Sequence, residues 1–233
     1  MRRAFASATW TSADLRYDPN THTSTLPDGT PVPHVTAVLS ATGLSEDFDR
    51  LSGTAPRVAA AVQLARHRGT AVHADCHAFD DDDLQWATVD PRVRPYVLAW
   101  AEARGALWLH PLAHARERHV FHPLYRYTGI LDGVFLRQAP NQPARHVLVD
   151  LKTGDPEDAA AHLQTAAYKA AWDAEHPDEP VDERWAIWLR PERAVPYTVE
   201  NYTARLEQCL HDFPKFLAAL TVYNEQPARR RRI

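Results

Sequence analysis

The chain has 233 residues, 45% of them hydrophobic, and a formal net charge of −4. This length suffices for one well-buried domain, and we expect a single domain over residues 1–233. No apolar run approaches the roughly 20 residues needed to cross a bilayer, and the first ten residues lack the apolar core of a signal peptide. We therefore expect a cytoplasmic protein without a membrane partner.

Cysteine content and net charge indicate the cellular compartment and restrict the cofactors and partners that we expect. Cys76 and Cys209 are the two cysteines, which favours a reducing compartment and excludes a four-cysteine iron–sulfur cluster. The negative net charge does not indicate a nucleic-acid-binding protein, so a polyanion could bind only at a local basic surface. Residues 228–233 form one dense basic cluster, either as a solvated terminus or as a phosphate contact.

The first half of the chain predicts mostly helices. Residues 1–34 contain several turn signals and predict a hairpin or an extended lead-in. Residues 35–113 form the predicted helical part. Apolar spacing predicts three helices there, over residues 35–43, 56–79 and 91–109. We expect the four adjacent acids at residues 80–83 to be solvated.

Beyond residue 113 the apolar period changes to two, which predicts strands. These cover residues 116–122, 127–137, 145–152, 184–190 and 196–202. Asp155 followed by Pro156 predicts the start of a helix that runs to about Glu175. A last helix is predicted over residues 203–223. The order indicates a sheet and a helix over 114–200, with a C-terminal helix and basic tail over 201–233.

This order of elements predicts an α/β chain of the α+β type, with a mixed central sheet flanked by helices and an N-terminal helical elaboration. Within that sheet, the stretch "VDLK" places Asp150 and Lys152 on one face and turns Leu151 into the other layer. If the two strands around Asn141 pair antiparallel, residues whose numbers sum to 282 face each other. Asp132 then lies opposite Asp150, with Cβ atoms about 5 Å apart.

Two carboxylates this close would raise one pKa strongly unless a cation neutralised them. Mg²⁺ is held in proteins by one or two carboxylates together with waters and phosphate oxygens. The ammonium of Lys152 could then stabilise developing negative charge or orient a water. The alternative is a surface hairpin with a Lys–Asp ion pair and no catalysis.

A polar pair on the next helix adds to this pattern. Gln164 and Tyr168 are four residues apart and share a helical face. They follow the Lys152-Thr153-Gly154 turn closely, so the helix can pack back across the strand end. The two side chains could orient a phosphate or the lysine, or form an ordinary amphipathic edge.

Five segments together resemble a known family. "PHVTAVL", "HRGTAVH", "GILDGVF", "VDLKTG" and "QTAAY" resemble, in order and spacing, the RecB-like branch of the PD-(D/E)XK nuclease superfamily, which includes phage exonucleases. The resemblance extends over roughly residues 33–190 and implies a restriction-endonuclease-like core. Two departures are minor: the first acid does not follow a proline, and the second acid is Asp rather than Glu.

The resemblance also implies residue roles. Asp132, Asp150 and Lys152 would be catalytic. The ligands of Mg²⁺ or Mn²⁺ would be Asp132, Asp150, the backbone carbonyl of Leu151 and His73.

Other residues would have secondary roles in such a site. Gln164, Tyr168 and Thr153 would support it and contact DNA. Glu117 falls where some relatives carry a further acid and is a second-tier candidate. Relatives with an iron–sulfur cluster need four cysteines, so we expect none here.

We therefore expect a metal-dependent deoxyribonuclease, an exonuclease of phage or prophage type acting in the host cytoplasm. DNA would be its substrate, and a phage recombination or replication protein and further copies of the chain are potential partners. Two alternatives stay open. The chain could be a DNA- or protein-binding module with little turnover, or it could act on another phosphate ester such as a nucleotide.

Overall fold

The computed structural model describes residues 10–19, 21–45, 56–154 and 160–226. Its N-terminal part is a short 3₁₀ helix, Ser12–Asp14, followed by a small antiparallel sheet. The strands of this sheet are β1 (Arg16–Asp18), β2 (Thr23–Thr25) and β3 (Pro31–Val32). β1 and β2 form the hairpin that the turn signals predict.

Within the described residues, helices follow in each of the three predicted regions. They are α1 (Val35–Ala41), α2 (Pro56–Asp80) and α3 (Arg94–Ala106). Gly43, just after α1, has a φ of 72°, a conformation that glycine adopts without steric cost. α3 is shorter than predicted at both ends, because residues 91–93 and 107–108 form turns.

The central sheet has five strands in the order β4 to β8. The strands are β4 (Leu109–His122), β5 (Tyr127–Arg137), β6 (Arg145–Lys152), β7 (Glu183–Leu189) and β8 (Tyr197–Asn201). β6 and β7 pair in parallel and the other neighbours are antiparallel, so the sheet is mixed as predicted. Helix α4 (Ala161–Glu175) lies between β6 and β7 in the chain and provides the crossover that a parallel pair requires. The last helix is α5 (Leu206–Glu225), with Pro214 inside it.

β4 begins earlier than the sequence pattern predicts. It starts at Leu109, inside the segment expected to be helical, rather than at residue 116. The pairing with β5 shifts between Pro111, which faces Phe135, and Arg116, which faces Gly133. Four residues of β4 therefore lie opposite one residue of β5. This irregularity breaks the period-two pattern, so the sequence does not predict the first half of the strand.

The sheet is covered on both faces. Alternate residues of β6 point to opposite sides: Val147, Val149 and Leu151 pack in the core beneath α2 and α3, while Leu148 packs in the core beneath α1, α4 and α5. Leu151 thus lies in the layer opposite Asp150, as predicted. The predicted fold class, a mixed sheet flanked by helices with an N-terminal helical part, is confirmed.

The acidic run at residues 80–83 is only partly solvated. Asp80 is buried and accepts hydrogen bonds from Trp100 Nε1 at 3.0 Å and from Arg104 at 2.7 Å. Burial raises the pKa of Asp80, against the lowering effect of Arg104 and Trp100. The prediction of a solvated run is wrong for Asp80, which anchors α3 to the end of α2, and right for the three exposed acids after it.

Some expectations fall outside the described residues. These include the predicted N-cap at Asp155 and the basic tail at residues 228–233, whereas the helix that follows the N-cap is described from Ala161 onward. Within the described ranges, no helix combines the length and the apolar character needed to cross a bilayer.

Candidate active site

The β5–β6 hairpin has the register predicted from its sequence. Its pairs run from Arg137 opposite Arg145 to Gly133 opposite Val149, and the numbers of each pair sum to 282. The ladder ends one position before Asp132 and Asp150. Instead, the backbone N–H of Leu151 donates a 2.7 Å hydrogen bond to Asp132 Oδ2. The two acids therefore lie where the paired strands separate.

Asp150 and Lys152 share a face, as predicted. Lys152 Nζ lies 2.9 Å from Asp150 Oδ2. The amide of Gln164, on α4, joins both groups: its Nε2 donates to Asp150 Oδ1 at 3.2 Å, and its Oε1 accepts from Lys152 Nζ at 3.0 Å. One side chain thus fixes the relative positions of the acid and the amine.

Tyr168 supports this amide from one turn further along α4. Its hydroxyl accepts a hydrogen bond from Gln164 Nε2 at 3.2 Å. Burial, followed by the charge of Asp150, raises the pKa of Tyr168, so the phenol stays protonated at neutral pH. The ring crosses β5 at Gly129, where a Cβ would lie 2.3 Å from Tyr168 Cε1. The first glycine of "GILDG" is therefore required by the position of this tyrosine.

His73 reaches the site from α2, on the other side of the sheet. Its Nδ1 lies 3.2 Å from Asp132 Oδ1. The charge of Asp132 raises the pKa of His73 to about 9, against the opposing effect of burial. Burial disfavours ionisation of Asp132, but His73, the Leu151 N–H and Lys152 together lower its pKa. At neutral pH the two residues form an ion pair.

Asp150 is under the opposite influence. Burial raises its pKa to about 6; the charge of Asp132 adds to this increase and Lys152 opposes it. Asp150 Oδ2 is buried and has no hydrogen bond of good geometry, although the Lys152 ammonium lies 2.9 Å away. At this distance the two charges attract each other, since Coulomb attraction depends little on angle. The oxygen keeps a lone pair that a cation could use.

These features fit a two-carboxylate site for a hard divalent cation. Asp132 and Asp150 provide carboxylates close enough for the charge of one to raise the pKa of the other. Within the described parts of the chain, no three His, Cys, Asp or Glu side chains converge as a metal-binding group. His73 faces Asp132 Oδ1 instead, so its role as a direct ligand stays a prediction. Waters and phosphate oxygens complete such sites for Mg²⁺.

Glu117, the second-tier candidate, contacts a histidine of α2. It lies in β4 between Arg116 and Arg118, which pair with the residues on either side of Asp132. Its φ is 41°, and its Oε1 lies 3.0 Å from His77 Nδ1. Glu117 therefore contacts α2 one turn beyond His73 rather than joining the two aspartates. His77 is not among the residues predicted for the site, although its spacing of four residues from His73 places both on one helical face.

Thr153 marks where α2 passes the end of β6. A Cβ added to Gly69 would lie 3.6 Å from Thr153 Oγ1, so the helix and the strand end are in close contact. Thr153 also lines a cavity together with Arg68 and Arg190. Neither arginine is among the residues predicted for the site, and nothing in their local spacing indicates that they line one cavity.

Comparisons with known proteins add little to this geometry. No family model and no curated protein matches the chain. One crystal structure that resembles it is that of a candidate exonuclease from Eubacterium rectale, with a TM-score of 0.37 and 10% identity over 68% of each chain. A similarity at that score carries no argument about fold or activity.

Proposed function

We propose that the chain is a Mg²⁺- or Mn²⁺-dependent deoxyribonuclease, an exonuclease of phage type that hydrolyses DNA phosphodiester bonds. One observation carries the proposal. Asp132, Asp150 and Lys152 meet where β5 and β6 separate, and Gln164 joins the acid and the amine. A buried acid pair can hold a divalent cation that activates a water, and an ammonium beside it can stabilise the negative charge that develops on a phosphate oxygen.

The ion would be held by Asp132, Asp150 and the carbonyl of Leu151, with His73 as a further candidate. When bound, it would supply Lewis-acid chemistry and lower the pKa of a water. The raised pKa of Asp150 and the buried oxygen without a well-aligned donor both support a cation at this position.

Lys152 would act on the substrate directly. Its side chain is one-fifth exposed, so the ammonium could contact a phosphate oxygen while Gln164 and Asp150 fix its position. There it would donate a hydrogen bond to the oxygen on which negative charge develops as water attacks in line. Gln164 and Tyr168 would act as positioning residues, since both work through other side chains.

The direct test is cleavage of end-labelled linear DNA with Mg²⁺ or Mn²⁺. Asp132→Ala and Lys152→Ala should each remove nearly all activity, while Asp90→Asn, which alters a surface carboxylate paired with Arg92, should not. Covalently closed circular DNA distinguishes the two nuclease modes, because an exonuclease needs an end. Equal rates for the wild type and both alanine variants would end the proposal.

A thermal melt tests the ion without turnover. Mg²⁺ or Mn²⁺ should raise the Tm of the wild type, because a ligand that binds only the folded state stabilises it. The increase should disappear in Asp150→Ala. A wild type indifferent to both ions would instead favour a binding module that retains the fold. Competition between mononucleotides and oligonucleotides of increasing length would reveal a preference for small phosphate esters.

A further inference from the structure

A polar cavity borders the candidate active site at the carboxyl ends of β6 and β7. The cavity has a volume of about 370 Å³, which is in the range of small-molecule sites. β6 and β7 are parallel neighbours with Lys152 paired to Trp188, so both strands end at this edge. The residues that follow the strands meet two helical residues there: Thr153, Gly154, Arg190, Glu192, Arg68 and Tyr96.

Arg68 is held in place without a full set of acceptors. Its guanidinium carbon lies 5.6 Å from the ring centre of Tyr96, a cation–π contact that restricts the side chain. Its Nε is buried and has no hydrogen-bond partner. A buried donor without an acceptor costs free energy. An anion in the cavity would bind the other nitrogens of the guanidinium, and the charge attraction would offset part of that cost.

The charge of the lining also favours an anion. Two arginines oppose one acid, Glu192, whose side chain is 62% exposed and lies 3.9 Å from Arg193 Nε. The charge of Glu192 is thus partly compensated from outside the cavity. Guanidinium groups match the oxygens of a phosphate in pairs, which gives both affinity and orientation.

We infer that this cavity binds a backbone phosphate of the nucleic-acid strand, next to the phosphate that is cleaved. Arg68 and Arg190 bind its oxygens, and Tyr96 positions Arg68. The inference rests on the proposed function, because it takes the cleaved polyanion to be DNA. Thr153 directly follows Lys152, and consecutive Cα atoms are about 3.8 Å apart. The lining of the cavity therefore begins one residue after Lys152 in the chain.

DNA binding with a chelator, which prevents hydrolysis, tests the charges. Fluorescence anisotropy with a labelled duplex should show affinity reduced about tenfold in Arg68→Gln and in Arg190→Gln. The slope of log affinity against log salt should decrease by about 1 in each. Glu192→Gln should tighten binding a few-fold, because it removes the opposing charge. Arg68→Lys should restore part of the lost affinity.

Arg145→Gln is the matched control. Arg145 is the first residue of β6 and Lys152 is the last, so the two lie at different ends of the strand. Arg145 lies 3.5 Å from Glu183. Its removal changes the net charge of the protein equally, and we expect less than a twofold effect on binding. Thermal melts of all variants identify any loss of folding. Equal effects of Arg68→Gln and Arg145→Gln in folded protein would overturn the inference.

An uncharged phosphate analogue can identify which phosphate of the DNA lies in the cavity. Duplexes with a single methylphosphonate, placed in turn at the first four phosphates from each end, should bind the wild type more weakly at one position. That loss should vanish in Arg68→Gln, since the contact is already missing. The same loss in both proteins would contradict the assignment.

The outcomes separate the two claims. Arg68-dependent binding without metal-dependent cleavage would refute the proposed function and keep the phosphate site. Metal-dependent cleavage, with cleavage and binding both unchanged in Arg68→Gln, would refute the phosphate site and keep the proposed function. A wild type that neither binds nor cleaves DNA would overturn both.

Discussion

Two buried ion pairs lie on adjacent strands of the sheet and differ in access to solvent. Arg184 of β7 pairs with Asp212 of α5 at 2.9 Å, and their side chains are 2% and 0% exposed. Lys152 of β6 also lies 2.9 Å from its acid, Asp150, but the lysine is 20% exposed. The charge types and distances are similar, whereas only the second pair can meet a substrate.

The surroundings of the two pairs differ as well. The guanidinium of Arg184 also donates to the carbonyl of His162 and the hydroxyl of Thr165. This pair is closed and fixes α4 and α5 against the sheet. Both pairs keep a buried carboxylate oxygen without a well-aligned donor, Asp212 Oδ1 and Asp150 Oδ2, whereas the Lys152 pair also has a second acid, Asp132, beside it. Access and an excess of acid, rather than the ion pair itself, therefore distinguish a candidate site from a structural bridge.

The largest effect is expected at Asp150. Asp150→Asn should reduce DNA cleavage about a thousandfold, because it removes a carboxylate from the proposed ion site. The metal-free Tm should stay the same or rise, since burial already disfavours the ionised acid. Cleavage rates and thermal melts with a chelator measure the two effects. A large loss of stability with normal cleavage would reverse the roles assigned to the two pairs.

Asp212→Asn should have the complementary effect. It leaves Arg184 buried without its counter-ion, so the free energy of unfolding should fall by about 3–5 kcal/mol. The folded fraction should cleave DNA normally. Urea unfolding, followed by cleavage assays at low temperature, measures both quantities. Cleavage lost in fully folded protein would show that this pair also belongs to the site.

Gly129→Ala tests the support of the site. The added Cβ would meet the ring of Tyr168 at 2.3 Å, so the ring must move. We expect a loss of roughly 1–3 kcal/mol in stability and slower cleavage through displacement of Gln164. Gly105→Ala is the matched control, because no atom lies within 4 Å of its added Cβ and it is within α3. The control should be neutral or slightly stabilising.

The smallest effect concerns acid sensitivity away from both pairs. Burial, followed by the charges of His119 and His22, lowers the pKa of His34 to about 4. This value is below the unfolded value of 6.5, so the unfolded state binds more protons between these limits. Stability should therefore fall as the pH decreases from about 7 to 4.

The variant His34→Gln should show a shallower decrease in the free energy of unfolding over the same range. Urea titrations at several pH values measure the slope. His110→Gln, which alters an exposed histidine, serves as the control and should follow the wild type. Identical slopes for both variants would contradict the assignment to His34.

The part of the site formed by neighbouring segments could be predicted from the sequence. The register of β5 and β6 follows from one short turn and alternating apolar residues, which together determine which residues face each other. The same alternation gives the shared face of Asp150 and Lys152. The spacing of Gln164 and Tyr168 required only helical geometry.

Features that depend on distant packing could not be predicted in this way. Asp80 is buried because α3 returns Trp100 and Arg104 to it. Glu117 turns to His77 because β4 carries an irregular segment. Arg68 meets Tyr96 only after two helices pack together. The local spacing of apolar and polar residues does not predict these long-range contacts.

Sequence separation sets the order in which the site can assemble. Lys152 and Gln164 are 12 residues apart and Asp132 and Leu151 are 19 apart, whereas His73 and Asp132 are 59 apart. Because closing a longer loop costs more entropy, the hairpin and its helix can unite before α2 docks. During synthesis, His73 leaves the ribosome before Asp132, so their contact can form only after the later segment has been made. Aggregation during that interval would trap α2 without the sheet that it covers.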